Sequence, residues 1–296
     1  MSKGFESAGY QIVAGVDSWG PALEVYKNNF SHPVLDMDLG DPASLEVIKE
    51  LAPDLIVGGP PCQDFSSAGP NNVASKRANL TISYVDIICA VKPEFFVLEN
   101  VPRIRYSEVF KEAEALLRRS GYGLTIKILN AAYCGVPQSR KRLFVIGHRG
   151  GEDDFLQQEL QNNLSEKPLT LREHLGKQLD VDYYFRIPTN YQRKAIFSVD
   201  EPSVTIRGID RPIPKTYQRH PDDPVPIGDN VRALTVLERS YVQTFPETFQ
   251  FSGTKTNLNQ MIGNAVPVKM AEHVAKAIFR YKSDIESGRA QKAAQA

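Results

Sequence analysis

The chain has 296 residues, 42% hydrophobic and 24% charged, the proportions of a folded globular protein. Disordered, collagen-like and coiled-coil chains have other compositions. Lysine plus arginine and aspartate plus glutamate each number 35, so a polybasic, histone-like binding mode is excluded while a local basic stripe is not.

No apolar run approaches the roughly 18 residues of a membrane span. The first residues, MSKGFESAGY, have neither the apolar core of a signal peptide nor the Arg-rich face of a transit peptide. Cys62, Cys89 and Cys134 include no close pair, so neither a disulfide framework nor a zinc site is expected. The expectation is a reduced, cytoplasmic protein without a metal.

From residue 10 the pattern alternates. YQIVAGVD (10–17) predicts a buried strand ending in an acid, PALEVYKNNF (21–30) a helix, PVLDMDL (33–39) a strand and PASLEVIKEL (42–51) a helix. DLIVGG (54–59) is a β-branched run cut off by Gly-Gly-Pro-Pro, and Ala68 to Lys76 predicts a mobile loop. A helix over 80–91, the strand FFVLEN (95–100), a helix over 107–120, LTIKILNA (124–131) and RLFVIGHR (142–149) follow. Such alternation predicts an α/β fold, doubly wound on a largely parallel sheet.

After Gly151 the texture changes. Residues 152–182 are polar with one weak helix over 168–176, and 183–230 are rich in Pro, Arg and Tyr. The stretch is too long for a loop and predicts a small unit of irregular β structure. Helical spacing returns over 231–245 and in VKMAEHVAKAIFRYKSDI (268–285), and ESGRAQKAAQA predicts a frayed tail. The expected domains are 1–149 and 231–285 for the large unit, 150–230 for the small one, and 286–296 for the tail.

Pro60-Pro61-Cys62-Gln63 stands where strand 54–59 ends, and ligands of open α/β sheets bind at the carboxyl ends of strands. A cysteine on such a stiff, partly exposed turn can be held as a thiolate by nearby cations. Most cysteines are inert core residues, and Cys89, among Ile87, Ile88 and Val91, fits that description. Glu99, closing FFVLEN, faces the same rim, and burial would let it donate a proton near neutrality; a helix-capping role explains it equally well when it is taken alone. Alternation puts Gln138, Arg140 and Arg142 on one face of an extended segment, suited to an anion or a base, or else a solvated basic edge. Arg232-x-Leu-Thr with Gln243-x-Phe-Pro, and Ile262-Gly-Asn-Ala-Val-Pro-Val268, would each alone pass as packing.

In order, GGPPCQ, LENV, PQSRKR, RALT…VQTFP and IGNAVPV resemble the motif series of the C5-cytosine DNA methyltransferases of bacterial restriction-modification systems, over most of 4–147 and 231–282. The resemblance implies a Rossmann-like S-adenosylmethionine-dependent methyltransferase with a target-recognition domain at 150–230, facing a DNA cleft. It implies Cys62 as the nucleophile on cytosine C6, with Gln63 beside it in the catalytic set. It further implies Glu99 as the acid at N3 of a flipped base, and Arg140 as the arginine holding that base, supported by Gln138 and Arg142. For S-adenosylmethionine it implies Asp17 at the ribose, Asp38 and Leu39 at the adenine, and Pro61, Leu80, Asn264 and Val266 around the pocket. Double-stranded DNA is the implied partner and the protein itself a monomer. A restriction endonuclease of the same system, not held in a stable complex, would be the companion where one exists.

The sequence departs from the family in three places. The tryptophan expected after the ribose-binding acid is Ser18, with Trp19 one residue later, and the arginines usual after Leu234-Thr235 are replaced by Leu237 and Tyr241. The Phe-x-Gly-x-Gly-Gly turn that opens the family is missing, about 10–15 residues with its strand, and the intact downstream motifs favour a start assigned too late at an internal Met. An inactive DNA-binding remnant is the alternative this leaves. A tRNA methyltransferase is disfavoured, since its Cys-Phe-Thr is absent and no cysteine follows Cys134. Between Tyr183 and His220 seven basic residues face three acids, a basic stripe in a neutral chain. Arg193, Arg207 and Arg211 are the expected readers of a short, G·C-rich site, since Arg is the commonest specific contact to guanine.

Overall fold

The computed structural model describes residues 1–61, 73–188, 193–228 and 230–294, without the side chains of 73–79 and 289–294. A short helix α1 (Ser2–Ser7) is followed by β1 (Gly15–Asp17), α2 (Gly20–Asn29), β2 (Val34–Asp36), α3 (Ala43–Glu50), β3 (Leu55–Gly58), α4 (Val73–Val91), β4 (Phe95–Asn100), α5 (Glu108–Arg119) and β5 (Tyr122–Asn130). Ends are set locally. Pro21 sits in the first turn of α2, where its missing N–H has no intrahelical partner to lose. Ser107 starts α5 by accepting a hydrogen bond from the Phe110 N–H.

The expected strand at residue 10 forms only over Gly15–Asp17. Tyr10 instead packs its ring edge-on against Phe5 and Phe279. Of the loop expected over 68–76, Val73–Lys76 belong to α4 and the rest lies outside the described residues.

β1 and β2 are parallel, with Asp17 opposite Asp36. β3 pairs parallel with β4. The two-residue β6 (Gln138–Ser139) leads into β7 (Lys141–Arg149), which runs antiparallel between β4 and β5 in the order β3-β4-β7-β5. The sheet is therefore parallel only on its β3–β4 side. The link from β5 to β7, residues 131–140, is shorter than the dozen or more residues a parallel crossover takes, so the two strands run antiparallel.

Both faces of β4 are covered, which is why it reads as an unbroken apolar run. Phe95 and Val97 pack with Phe5, Phe144, Ile146 and Val274 on one side. Phe96 and Leu98 pack with Tyr84, Ile88, Phe110 and Leu117 on the other.

Beyond Gly151 come α6 (Gln157–Asn162), α7 (Leu171–Leu175), β8 (Tyr183–Phe185), β9 (Ile196–Ser198), β10 (Ser203–Val204) and β11 (Val231–Ala233), then α8 (Val236–Val242), α9 (Lys255–Asn264) and α10 (Val268–Ala294). β8 lies between β9, antiparallel, and β11, parallel. β10 pairs with β6 and stitches this small unit to the large sheet's entry segment. Its core of Leu171, Tyr184, Phe197, Leu234, Val242 and Ile262 is shared with α8 and α9.

Two readings change here. Residues 231–233 are strand, because Thr235 and Glu238 form a capping box that starts α8 only at Val236. α10 continues to Ala294 instead of fraying after 285; Glu, Arg, Gln, Lys and Ala after 285 all favour helix.

Candidate active site

β4 delivers Glu99 and Asn100 to its carboxyl end, 8% and 4% exposed. The alternation expected of 138–142 holds: Gln138 and Arg140 are buried and Arg142 half-buried, while Ser139 and Lys141 are exposed. Arg142 donates from Nε to Glu99 Oε1 at 2.9 Å. Burial raises the Glu99 pKa, and the opposing pull of Arg142, then Arg140, then the amino terminus does not overcome it. The Arg142 guanidinium is lowered, also chiefly by burial. Desolvation thus pushes both partners towards their neutral forms, and Glu99 can keep a proton well above the ordinary carboxylate range.

The turn after β3 lies against this pair. Asn100 Nδ2 donates to the Pro60 carbonyl at 3.0 Å. A Cβ on Gly59 would stand 2.9 Å from Glu99 Oε2, so a larger residue there would have to displace the carboxylate. Cys62 and Gln63 fall outside the described residues; Gly59-Pro60-Pro61, which carries them, rests on Glu99 and Asn100.

Arg140 is placed differently from its expected role. Its guanidinium donates to the carbonyls of Ile206 (2.8 Å), Gly263 (2.9 Å) and Ala265 (3.1 Å) and is 1% exposed. Three carbonyls, one from the small unit and two from the end of α9, hold it as a tie between units. The arginine touching the acid is Arg142. Arg140 Nε is buried without an acceptor, but the side chains around it pair with one another: Gln138 Nε2 donates to Gln243 Oε1 at 2.7 Å, the Ile206 N–H donates to Gln138 Oε1 at 2.9 Å, and Gln243 Nε2 donates to Ile262 and Ala265 carbonyls at 2.5 and 3.1 Å. Gly263 is needed there, since an added Cβ would stand 2.2 Å from the Arg207–Gly208 backbone.

Four of the cofactor candidates, Asp17, Asp38, Leu39 and Leu80, gather around the ends of β1 and β2, and the other three are placed separately. Asp17 is exposed at the end of β1 and accepts through Oδ1 from the Ser18 and Trp19 N–H groups at 2.8 and 2.9 Å. Asp38, just past the parallel neighbour β2, accepts from the Gly40 N–H at 2.9 Å, and a Cβ on Gly40 would meet Leu80 at 3.8 Å. Leu39 packs on the core beside α4, and Pro61 is exposed. Asn264, exposed, instead lies by Gly208, and Val266 is buried in the core with Met270 and Ala271. No group of acids, histidines and cysteines able to hold a metal occurs among the described residues.

Of the expected base readers, Arg193 and Arg211 are exposed. Arg207 donates to the Ile187 carbonyl at 2.5 Å, and its Nε is buried without a partner. Beside it stand Arg186, which the sequence offered only as one member of the basic stripe, and Arg239, which it did not single out. The available signal was Arg239 itself, a charge on the buried stripe Val236, Arg239, Ser240, Gln243 of a helix.

Comparison with known proteins shows the family. The model of the C-5 cytosine-specific DNA methylase family matches residues 1–280. The type II methyltransferase M.HindV of Haemophilus influenzae is 51% identical over 286 residues, covering 96% of this chain and 94% of that protein. M.HgiDI of Herpetosiphon aurantiacus, also a type II methyltransferase, is 50% identical over 284 residues, 95% and 91% of the two chains. The crystal structure of the S. pombe Dnmt2 methyltransferase superposes with a TM-score of 0.72 over 95% of this chain and 94% of that one, at 18% identity, a likeness of fold. The chain belongs to the C-5 cytosine-specific DNA methylase family and is a DNA (cytosine-5)-methyltransferase of the restriction-modification type.

Proposed function

We propose that the protein methylates a cytosine flipped out of a specific duplex site through a covalent adduct on Cys62. The observation that carries this reading is the buried Glu99–Arg142 pair, which lies against the turn leading into Cys62. C5 of cytosine is a poor nucleophile inside the stack, and extruding the base costs a few kcal/mol. The Cys62 thiolate forms a bond to C6 while the Glu99 carboxylic acid gives its proton to N3. The electron pair then resides on C5, and the new carboxylate faces Arg142. After methyl transfer a base removes the C5 proton, the C5–C6 double bond re-forms, the C6–sulfur bond breaks to return the thiolate, and N3 returns its proton to Glu99.

S-adenosylmethionine would supply the methyl group on a sulfonium. The residues fit it in part: exposed carboxylates at the ends of two parallel strands, Asp17 and Asp38, suit a ribose diol and an adenine amino group, and Leu39 and Leu80 suit an adenine face. Asn264, Pro61 and Val266 are assigned to the same pocket by family resemblance alone. Residues 150–230 would form the recognition domain, with Arg193 and Arg211 as readers of the site.

Tritium-methyl transfer to duplex DNA tests the reading. Cys62→Ser should abolish transfer and leave DNA affinity within about twofold, because a hydroxyl is far less nucleophilic at neutral pH. DNA carrying 5-fluorocytosine should trap the wild-type chain covalently, since fluorine cannot leave as the proton does. A serine variant with more than a tenth of wild-type turnover would remove Cys62 from the mechanism. Cofactor binding without any transfer by the wild-type chain would favour an inactive remnant.

A further inference from the structure

We infer that Arg186, Arg207 and Arg239 form a pocket that takes one backbone phosphate of the DNA, beside the catalytic centre and separate from base readout. The inference rests on the DNA reading above and adds a ligand site to it.

Arg186, Arg207 and Arg239, with Asp210, Ile206 and Leu234, are among the residues lining a cavity of about 20 Å³ open to the surface. That is room for an oxygen atom or two and too little for a nucleobase. Arg239 Nη1 lies 3.4 Å from Asp210 Oδ2, which uses the one carboxylate in the lining. Arg186 donates to the Thr205 carbonyl at 3.3 Å and Arg207 to that of Ile187; neither is paired with a carboxylate among the described residues. Two positive charges therefore remain without a counter-charge. Moreover, the Nε atoms of Arg207 and Arg239 are buried with no acceptor. A buried N–H without an acceptor carries a desolvation cost that an anionic acceptor would offset. Their mutual repulsion is visible at Arg186, whose pKa falls to about 10, first through burial and then through Arg207, with Arg239 and Arg193 adding to it.

The position suits a substrate backbone. Ile206 lines the cavity and gives its carbonyl to Arg140, whose charge is felt by Glu99. The pocket therefore shares Ile206 with the network around Arg140, two residues along the chain from Arg142 at the acid. A phosphate held there would fix the strand's register relative to Glu99 without reading sequence.

The test is DNA affinity against salt, by fluorescence anisotropy with a 20-base-pair duplex of arbitrary sequence between 50 and 200 mM KCl, with thermal unfolding recorded for each variant. Arg186→Gln should weaken binding roughly five- to tenfold at 100 mM and reduce the log–log salt slope by about one. Arg186→Lys should restore the slope, since a point charge suffices for a phosphate but not for a bidentate base contact. Asp210→Asn should tighten binding to every duplex alike. An unchanged slope in Arg186→Gln, a lysine variant that does not recover, or a loss confined to particular sequences overturns the pocket. Should the wild-type chain bind no DNA at all, the DNA reading fails, and inorganic phosphate at constant ionic strength then decides the pocket. A larger rise in melting temperature for wild type than for Arg186→Gln supports it, and equal rises end it.

Discussion

Glu99 and Arg142 show how a strand end makes an acid. The carboxyl is raised because desolvation outweighs the two nearby guanidiniums. A raised folded-state carboxyl binds more protons than the unfolded chain above about pH 4.3, so its contribution to stability declines as pH rises from there. That is the reverse of an ordinary salt-bridged carboxylate, and it fits the proton-donor role proposed for Glu99. Glu99→Gln is expected to slow methyl transfer by roughly 10²–10⁴-fold, the usual worth of a general acid. Arg142 is the largest of the charges that hold the Glu99 pKa down. In Arg142→Met, therefore, the alkaline limb of the kcat–pH profile should move to higher pH while the maximal rate falls. A limb that stays in place in single-turnover measurements would mean that Glu99 does not titrate in the working enzyme.

At the scale of elements, the segment 138–142 divides its labour along one face. Gln138 and Arg140 close a polar junction with Gln243 and the end of α9, and Arg142 reaches the acid. The period-two alternation was legible in QSRKR, but alternation says which side chains share a face and not what each one meets. Arg140 and Arg142 differ only by two residues of rise, and the carbonyls of 206, 263 and 265, distant in sequence, decide between them. Arg140→Met should remove the guanidinium donor from the Ile206 and Gly263 carbonyls, leave Ala265 to Gln243 alone, and accelerate proteolytic cleavage within 150–230, read by limited trypsinolysis with a matched Arg149→Met control, a residue exposed at the end of β7. Cleavage at the wild-type rate would show that the tie carries no load between the units. Gly263→Ala, whose Cβ would stand 2.2 Å from the backbone of 207–208, is expected to cost about 1–3 kcal/mol by overpacking, measured as a lowered denaturant midpoint with unchanged slope.

Across the whole molecule the charge is zero, yet the stripe between Tyr183 and His220 is basic. Its arginines differ in setting. Arg193 and Arg211 are exposed, whereas Arg207 is held by a backbone carbonyl. Arg193→Ala or Arg211→Ala should relax discrimination at one base pair of the methylated site, a loss of about 1–3 kcal/mol for a bidentate contact. Methylation of a randomised duplex library followed by sequencing of the modified sites would reveal it. A uniform loss for both would place the readers elsewhere in the small unit.

The sequence by itself determined the α/β alternation, the buried central strand FFVLEN, the Gly-Gly-Pro-Pro turn and the family, because these rest on local periodicity, backbone restriction and ordered short motifs. The tertiary structure decided what those signals leave open. The antiparallel insertion of β7 depends on which strands meet. The extended form of residues 231–233 depends on β11 lying beside β8. The roles of Arg140 and Arg142, and the cluster of Arg186, Arg207 and Arg239, depend on carbonyls and charges brought together from distant parts of the chain. An arginine carries the same charge and reach at every position, and only its folded surroundings settle whether it ties backbone, holds an acid or awaits an anion.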